Sequence, residues 1–155
     1  MKKTNAMRIL DKSKIEYKVH EYESDYINID GLSVAKSINK DPKIVFKTLV
    51  CQGKSNYYVA MIPVGEELDL KACATVLEEK NIELIAVKEL FPLTGYIRGG
   101  CSPIGMKKQF KTLIDSSYLE NEFIIFSAGA IGSQLEIKSS FLPQIIPLIS
   151  ANIIK

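Results

Sequence analysis

The chain has 155 residues, of which 46% are apolar and 25% charged, and its formal net charge is +2. That suits one domain with a real core, spanning residues 1–155, and excludes a disordered or low-complexity protein. The slight charge does not by itself point to nucleic-acid binding and does not argue against it, because a local basic patch matters more than the total.

In chain order, Thr4 or Asn5 is placed to cap a first helix carrying Ala6, Ile9 and Leu10 on one side. Residues 15–22 alternate apolar and polar, the period of a half-buried strand. Leu32, Val34, Ala35 and Ile38 form a short helical stripe over residues 31–38, which Asp41-Pro42 ends. Residues 44–51 read as a buried strand, 53–56 as a turn and 57–64 as the returning strand of a hairpin. Residues 69–79 predict a helix with Leu70, Cys73, Ala74 and Leu77 on one face. A short strand at 83–87 and a helical turn at 88–93 lead to a glycine-rich loop, followed by strands at 112–115, 123–126 and 134–137. The apolar stretch 141–154 is too short to span a bilayer and contains Pro143 and Pro147, so a kinked terminal helix closing the core is expected. No apolar run of signal-peptide length follows Lys2-Lys3. Hairpin spacing mixed with helical crossovers predicts an α+β domain around a mixed, partly barrel-like β-sheet with flanking helices.

Lys47 shares strand parity with Val45, Leu49 and Cys51, which sends its stem to an apolar face. An ammonium there is costly unless it finds an anion or water. Two readings stay open: it points into a pocket that receives an RNA phosphate or an ester carbonyl, or it snorkels from an edge strand. Residues 95–105 hold Gly95, Gly99, Gly100 and Gly105 with a Ser102-Pro103 step, a loop whose backbone amides can approach a ligand. Its spacing matches neither a Walker loop nor a dinucleotide fingerprint. A second small-residue loop, 127–132, directly follows a strand. Lys107, Lys108 and Lys111 suit a phosphate backbone or simply a solvated face. Cys51, Cys73 and Cys101 with the single His20 cannot make a zinc set without several carboxylates, so no metal is expected, and free thiols in a reducing cytoplasm are. No serine sits in a nucleophile elbow, and Cys101 reads as a bystander rather than a nucleophile activated by His20.

In order, Phe46-Lys47-Thr48-Leu49, Leu68-Asp69-Leu70-Lys71, Thr94-Gly95-Tyr96, the run from Gly99-Gly100-Cys101-Ser102-Pro103 to Lys107-Lys108, Leu113-Ile114-Asp115 and Ser127-Ala128-Gly129 resemble the YbaK/EbsC family, relatives of the insertion domain of prolyl-tRNA synthetase. The likeness runs from about Ala6 to Leu148, and the long first loop looks more like the cysteinyl-tRNA(Pro) branch than the alanyl branch. The resemblance implies a hydrolase that strips a wrong amino acid from tRNA(Pro) in trans, without metal or cofactor. It implies catalytic roles for Lys47, Gly99 and Gly100, with substrate contacts at Tyr22, Thr48, Ser102, Ser127, Gly129 and Gln134. Gln134 stands where the best-known cysteinyl branch member has aspartate. In that branch the substrate's own thiol attacks its ester, which accounts for the missing acid–base machinery. The partners implied are the aminoacylated end of tRNA and prolyl-tRNA synthetase, with no membrane. Two further readings stand beside this one: an alanyl-tRNA(Pro) or broader deacylase, and a non-catalytic module of the same fold that holds a tRNA end or a synthetase.

Overall fold

The computed structural model describes residues 2–24 and 30–155. Helix α1 (Asn5–Lys12) starts where the Thr4 hydroxyl accepts the Met7 N–H, and it buries Ala6, Met7 and Leu10. Strand β1 (Lys18–Glu21) is followed by α2 (Gly31–Ser37), capped by the Asp30 carboxylate, which accepts the Ser33 N–H. The hairpin forms as β2 (Phe46–Gln52) and β3 (Tyr57–Pro63), antiparallel with Lys47 opposite Ile62 and Thr48 opposite Met61. Helix α3 (Leu70–Leu77) is capped by Asp69, β4 (Glu83–Leu84) is a two-residue strand, and α4 (Val87–Thr94) ends on Gly95 at φ 83°. Strands β5 (Lys111–Asp115), β6 (Phe123–Ala130) and β7 (Ser133–Lys138) follow, and β8 (Leu148–Ala151) ends the chain.

The strands form two sheets, β1-β7-β6 and β4-β2-β3-β5-β8. The first is antiparallel; the second is mixed, since β3, β5 and β8 run parallel. The sheets meet at a single parallel bridge, Val45 to Ile125. The expected partly barrel-like sheet is therefore a barrel that fails to close. One core cluster, with Phe46, Met61, Ile114, Phe126 and Leu135, lies between the sheets under α1. A second, with Cys51, Ala60, Ile62, Cys73 and Leu113, lies between the five-stranded sheet and α3.

The terminal segment corrects the sequence reading. In place of a kinked helix over 141–154, a 3₁₀ turn at Ser139–Gln144 leads to β8, which lies parallel on β5 with Leu148 opposite Thr112 and Ala151 opposite Asp115. Pro143 and Pro147 deny a helix its amide donors, and β5 offers an unpaired edge instead. Leu148 packs on the first cluster while Ile149 and Ala151 pack on the second, so a strand with apolar contacts on both faces lacks the alternation that marks a half-buried strand. The second small-residue loop also differs: Ser127, Ala128 and Gly129 belong to β6, and a register shift between Ser127 and Ala130 marks a bulge there.

Candidate active site

Among the described residues, β2 has no strand on its outer edge beyond the bridge at Val45 until β4 pairs with Cys51 and Gln52, preceded by an Ile85 N–H bond to the Val50 carbonyl at 3.1 Å. A cavity of about 500 Å³ fills this seam. Its wall brings together Lys47, Thr48, Gly99, Ser127 and Gln134 from the expected site residues, with Asp30, Arg98 and Cys101 beside them. Val34, Leu84, Val87 and Leu90 give it an apolar side. Lys47 is half-buried on the α3 face of β2 and also lines a second, shallower hollow with Asp69, Lys71 and Lys155. The two readings of Lys47 thus merge: it sits on an open edge, and that edge is the pocket.

The polar groups of the wall are short of partners. Gln134 is 5% exposed, yet its carboxamide has no hydrogen bond among the described residues. Ser127, directly across the ladder from it, accepts the Gly129 N–H at 3.1 Å and keeps its own proton free. The Thr48 hydroxyl is buried without a partner. Leaving the Thr48 hydroxyl unpaired costs about 1–3 kcal/mol, while the Ser127 and Gln134 groups stand free to meet a polar ligand.

The remaining expected residues lie outside the cavity wall and hold the two loops together. Gly129, at φ 101°, presses on Tyr96, whose ring carbon would stand 2.8 Å from an added Cβ. The Tyr96 hydroxyl donates to the Ile104 carbonyl at 2.6 Å. Gly100 abuts the backbone of Ala130 and Ile131, at 3.0–3.3 Å from where a Cβ would be. The Ser102 hydroxyl, fully buried, accepts the Ile104 N–H. Tyr22 gives its N–H to the Gly132 carbonyl. These contacts set Gly99, at φ 85°, against the cavity.

Among the described residues, the wall brings no nucleophile and base together. Burial pushes the Cys101 thiol up to about 12, so it stays protonated. His20 is engaged elsewhere, its Nε2 lying 2.6 Å from Glu136 Oε1, with Lys40 Nζ 3.7 Å from the same oxygen. Lys107 and Lys108 lie over the rings of Phe91 and Phe110 and do not line the cavity. Besides Lys47, the cavity wall holds a second cation that the sequence alone did not single out, Arg98, inside the glycine loop.

A family model described as the aminoacyl-tRNA editing domain matches residues 32–143. The chain belongs to this family. The editing domain is 45% identical over 136 residues, 87% of this chain and 83% of the relative, to an Enterococcus faecalis protein named "Putative Cys-tRNA(Pro)/Cys-tRNA(Cys) deacylase EbsC". Its fold matches the crystal structure of the hypothetical protein APE2540 at a TM-score of 0.89 and 16% identity, covering 98% of this chain and 100% of that one. It also matches the structure of "a putative trans-editing enzyme for prolyl tRNA synthetase" at a TM-score of 0.85 and 17% identity, covering 100% and 99%. No helix of the described residues is long and apolar enough to cross a membrane.

Proposed function

We propose that this editing domain is a freestanding cytoplasmic deacylase that removes cysteine from misacylated tRNA(Pro), the substrate's thiol supplying the nucleophile. The observation that carries this reading is the seam itself. It gathers Lys47, Thr48, Gly99, Ser127 and Gln134 around a cavity whose one thiol is held protonated. Such a wall can bind and orient an aminoacyl ester without itself attacking it.

In the proposed reaction, the Lys47 ammonium holds the ribose–phosphate end of the tRNA. Backbone amides at Gly99 and Gly100 stabilise the charge that develops on the ester carbonyl oxygen. The cysteinyl thiol gives its proton to water, and the thiolate so formed attacks the carbonyl carbon. The C–S bond forms as the C–O bond to the ribose breaks, and the released ribose oxygen takes its proton from water. The β-thiolactone that leaves is opened by water. Holding the thiol against its own ester contributes about 7–11 kcal/mol, and an oxyanion donor about 3–4 kcal/mol more. Selection of tRNA(Pro) falls to prolyl-tRNA synthetase as a partner, a division of labour that suits a chain with a net charge of only +2.

The test is a deacylation panel of cysteinyl-tRNA(Pro), alanyl-tRNA(Pro), seryl-tRNA and cysteinyl-tRNA(Cys), with and without the synthetase. The expected result is fast loss of cysteine and slow loss of serine and alanine. Brisk release of alanine would move the protein to the alanyl branch, and no release from any member would leave a binding module.

A further inference from the structure

Strand β2 offers its ligand more than side chains. Along the β2–β3 ladder, bonds alternate between the two edges of a strand. The Val64 N–H donates to the Val45 carbonyl on the β3 side, while the carbonyls of Ile44 and Val50 accept from Ile125 and Ile85 on the outer side. The outward parity is therefore that of Ile44, Phe46, Thr48 and Val50. Pro63, which has no N–H to give, stands opposite Phe46 in agreement with this. With β6 bridging at Val45 and the Ile85 segment bonding at Val50, Thr48 lies midway in the gap. Its N–H and carbonyl both face the cavity. Its hydroxyl is buried and has no partner among the described residues.

We infer that the aminoacyl group docks on this edge as a strand of one residue, paired with Thr48. The inference rests on the deacylase reading. An aminoacyl ester carries the two groups that one residue of an antiparallel partner brings to a hydrogen-bonded pair: a nitrogen donor and a carbonyl acceptor. Its ammonium donates to the Thr48 carbonyl, and its ester carbonyl accepts the Thr48 N–H. Residues paired across a ladder put their side chains on the same face. The substrate's side chain thus lies beside the Thr48 hydroxyl, on the face opposite Lys47. Thr48 becomes the residue that meets the amino acid, and Lys47 is left to the nucleotide. The backbone pair recognises any α-amino acid, so discrimination among amino acids falls to the Thr48 face, its own hydroxyl first, while Ser127 and Gln134 share the Val45 and Lys47 face through the Val45–Ile125 bridge.

The experiment uses cysteinyl-adenosine linked through a 3′ amide, which cannot be deacylated, titrated into the whole protein and followed by amide hydrogen exchange in nuclear magnetic resonance spectra. Exchange of the Thr48 amide is expected to slow at least about tenfold, as for a strand edge newly paired. The amides of Lys47 and Leu49, already bonded to β3, are expected not to change. In Thr48→Ala the amide of residue 48 is expected to be protected as before, because the pairing is made by backbone. Replacing the α-ammonium by hydroxyl in a 3-mercaptolactyl-tRNA substrate is expected to lower the single-turnover rate on the order of 10–100-fold, the worth of a charge-assisted hydrogen bond. Saturable shifts at Ser127 and Gln134 with unchanged exchange at Thr48 would overturn the pairing. So would loss of the protection in Thr48→Ala, or an undiminished rate on the hydroxyl substrate. Failure to deacylate any aminoacyl-tRNA would instead overturn the functional reading beneath it.

Discussion

At the scale of single residues, Lys47 and Cys101 make opposite predictions from the same cavity wall. Lys47→Ala removes the charge proposed to hold the tRNA end from a half-buried edge position, without emptying the core. Deacylation is expected to fall by two orders of magnitude or more while the melting temperature changes little; an unchanged single-turnover rate would refute its role. Cys101→Ala removes a thiol that burial keeps protonated up to about 12, so most activity is expected to survive. Mass spectrometry during turnover should find no acyl adduct on Cys101. Gly129 belongs to a different class, because its φ of 101° and the Tyr96 ring leave no room for a Cβ. Gly129→Ala is expected to cost about 1–3 kcal/mol of stability, read as a drop of roughly 2–4 °C in melting temperature per kcal/mol.

At the scale of elements, the C-terminal strand depends on one buried carboxylate. Asp115, 2% exposed at the end of β5, accepts the Ile153 N–H through Oδ1 at 3.1 Å and the Ser117 N–H through Oδ2. It ties the end of β5 to the stretch just beyond β8 and caps the 3₁₀ turn at Ser116–Glu120. Asp115→Ala leaves the buried Ile153 donor unpaired, at a cost of about 1–3 kcal/mol. The expected signature is faster amide exchange at Ile153, with β2 and β3 unaffected. Misreading this end as a helix has the same origin. Runs with apolar contacts on both faces carry no clear period, and only the pairing of Leu148 with Thr112 decides between helix and strand.

For the whole molecule, the buried acids set an upper pH limit. Burial raises Cys51 and Cys101 from 9.0 to about 12, Cys73 from 9.0 to about 11, and Tyr96 from 10.0 to about 12. Above pH 9 the unfolded chain ionises these groups while the folded chain keeps their protons. The unfolded state then binds fewer protons, and stability falls as pH rises until the folded groups ionise in turn. Urea midpoints are expected to fall steeply above about pH 9. Cys51→Ala should flatten that fall, and a flat profile in the parent protein would contradict the burial of these groups.

The sequence by itself determined the hairpin and the first three helices. Those features rest on interactions between near neighbours in the chain: Thr4, Asp30 and Asp69 each cap a helix through an amide three residues on. It also placed Lys47 on an apolar strand face, since alternation is a local property of a strand. Only the tertiary structure decided that this face borders an open seam, because the gap depends on where β6 and β4 stop pairing along β2. The same holds for the division among the expected site residues. Gly99, Ser127 and Gln134 line the cavity, while Gly100, Ser102 and Gly129 support the loops behind it. A glycine that approaches a ligand and a glycine that approaches a tyrosine look alike in sequence. The distinction lies in what packs against them, and that is supplied by residues distant in the chain.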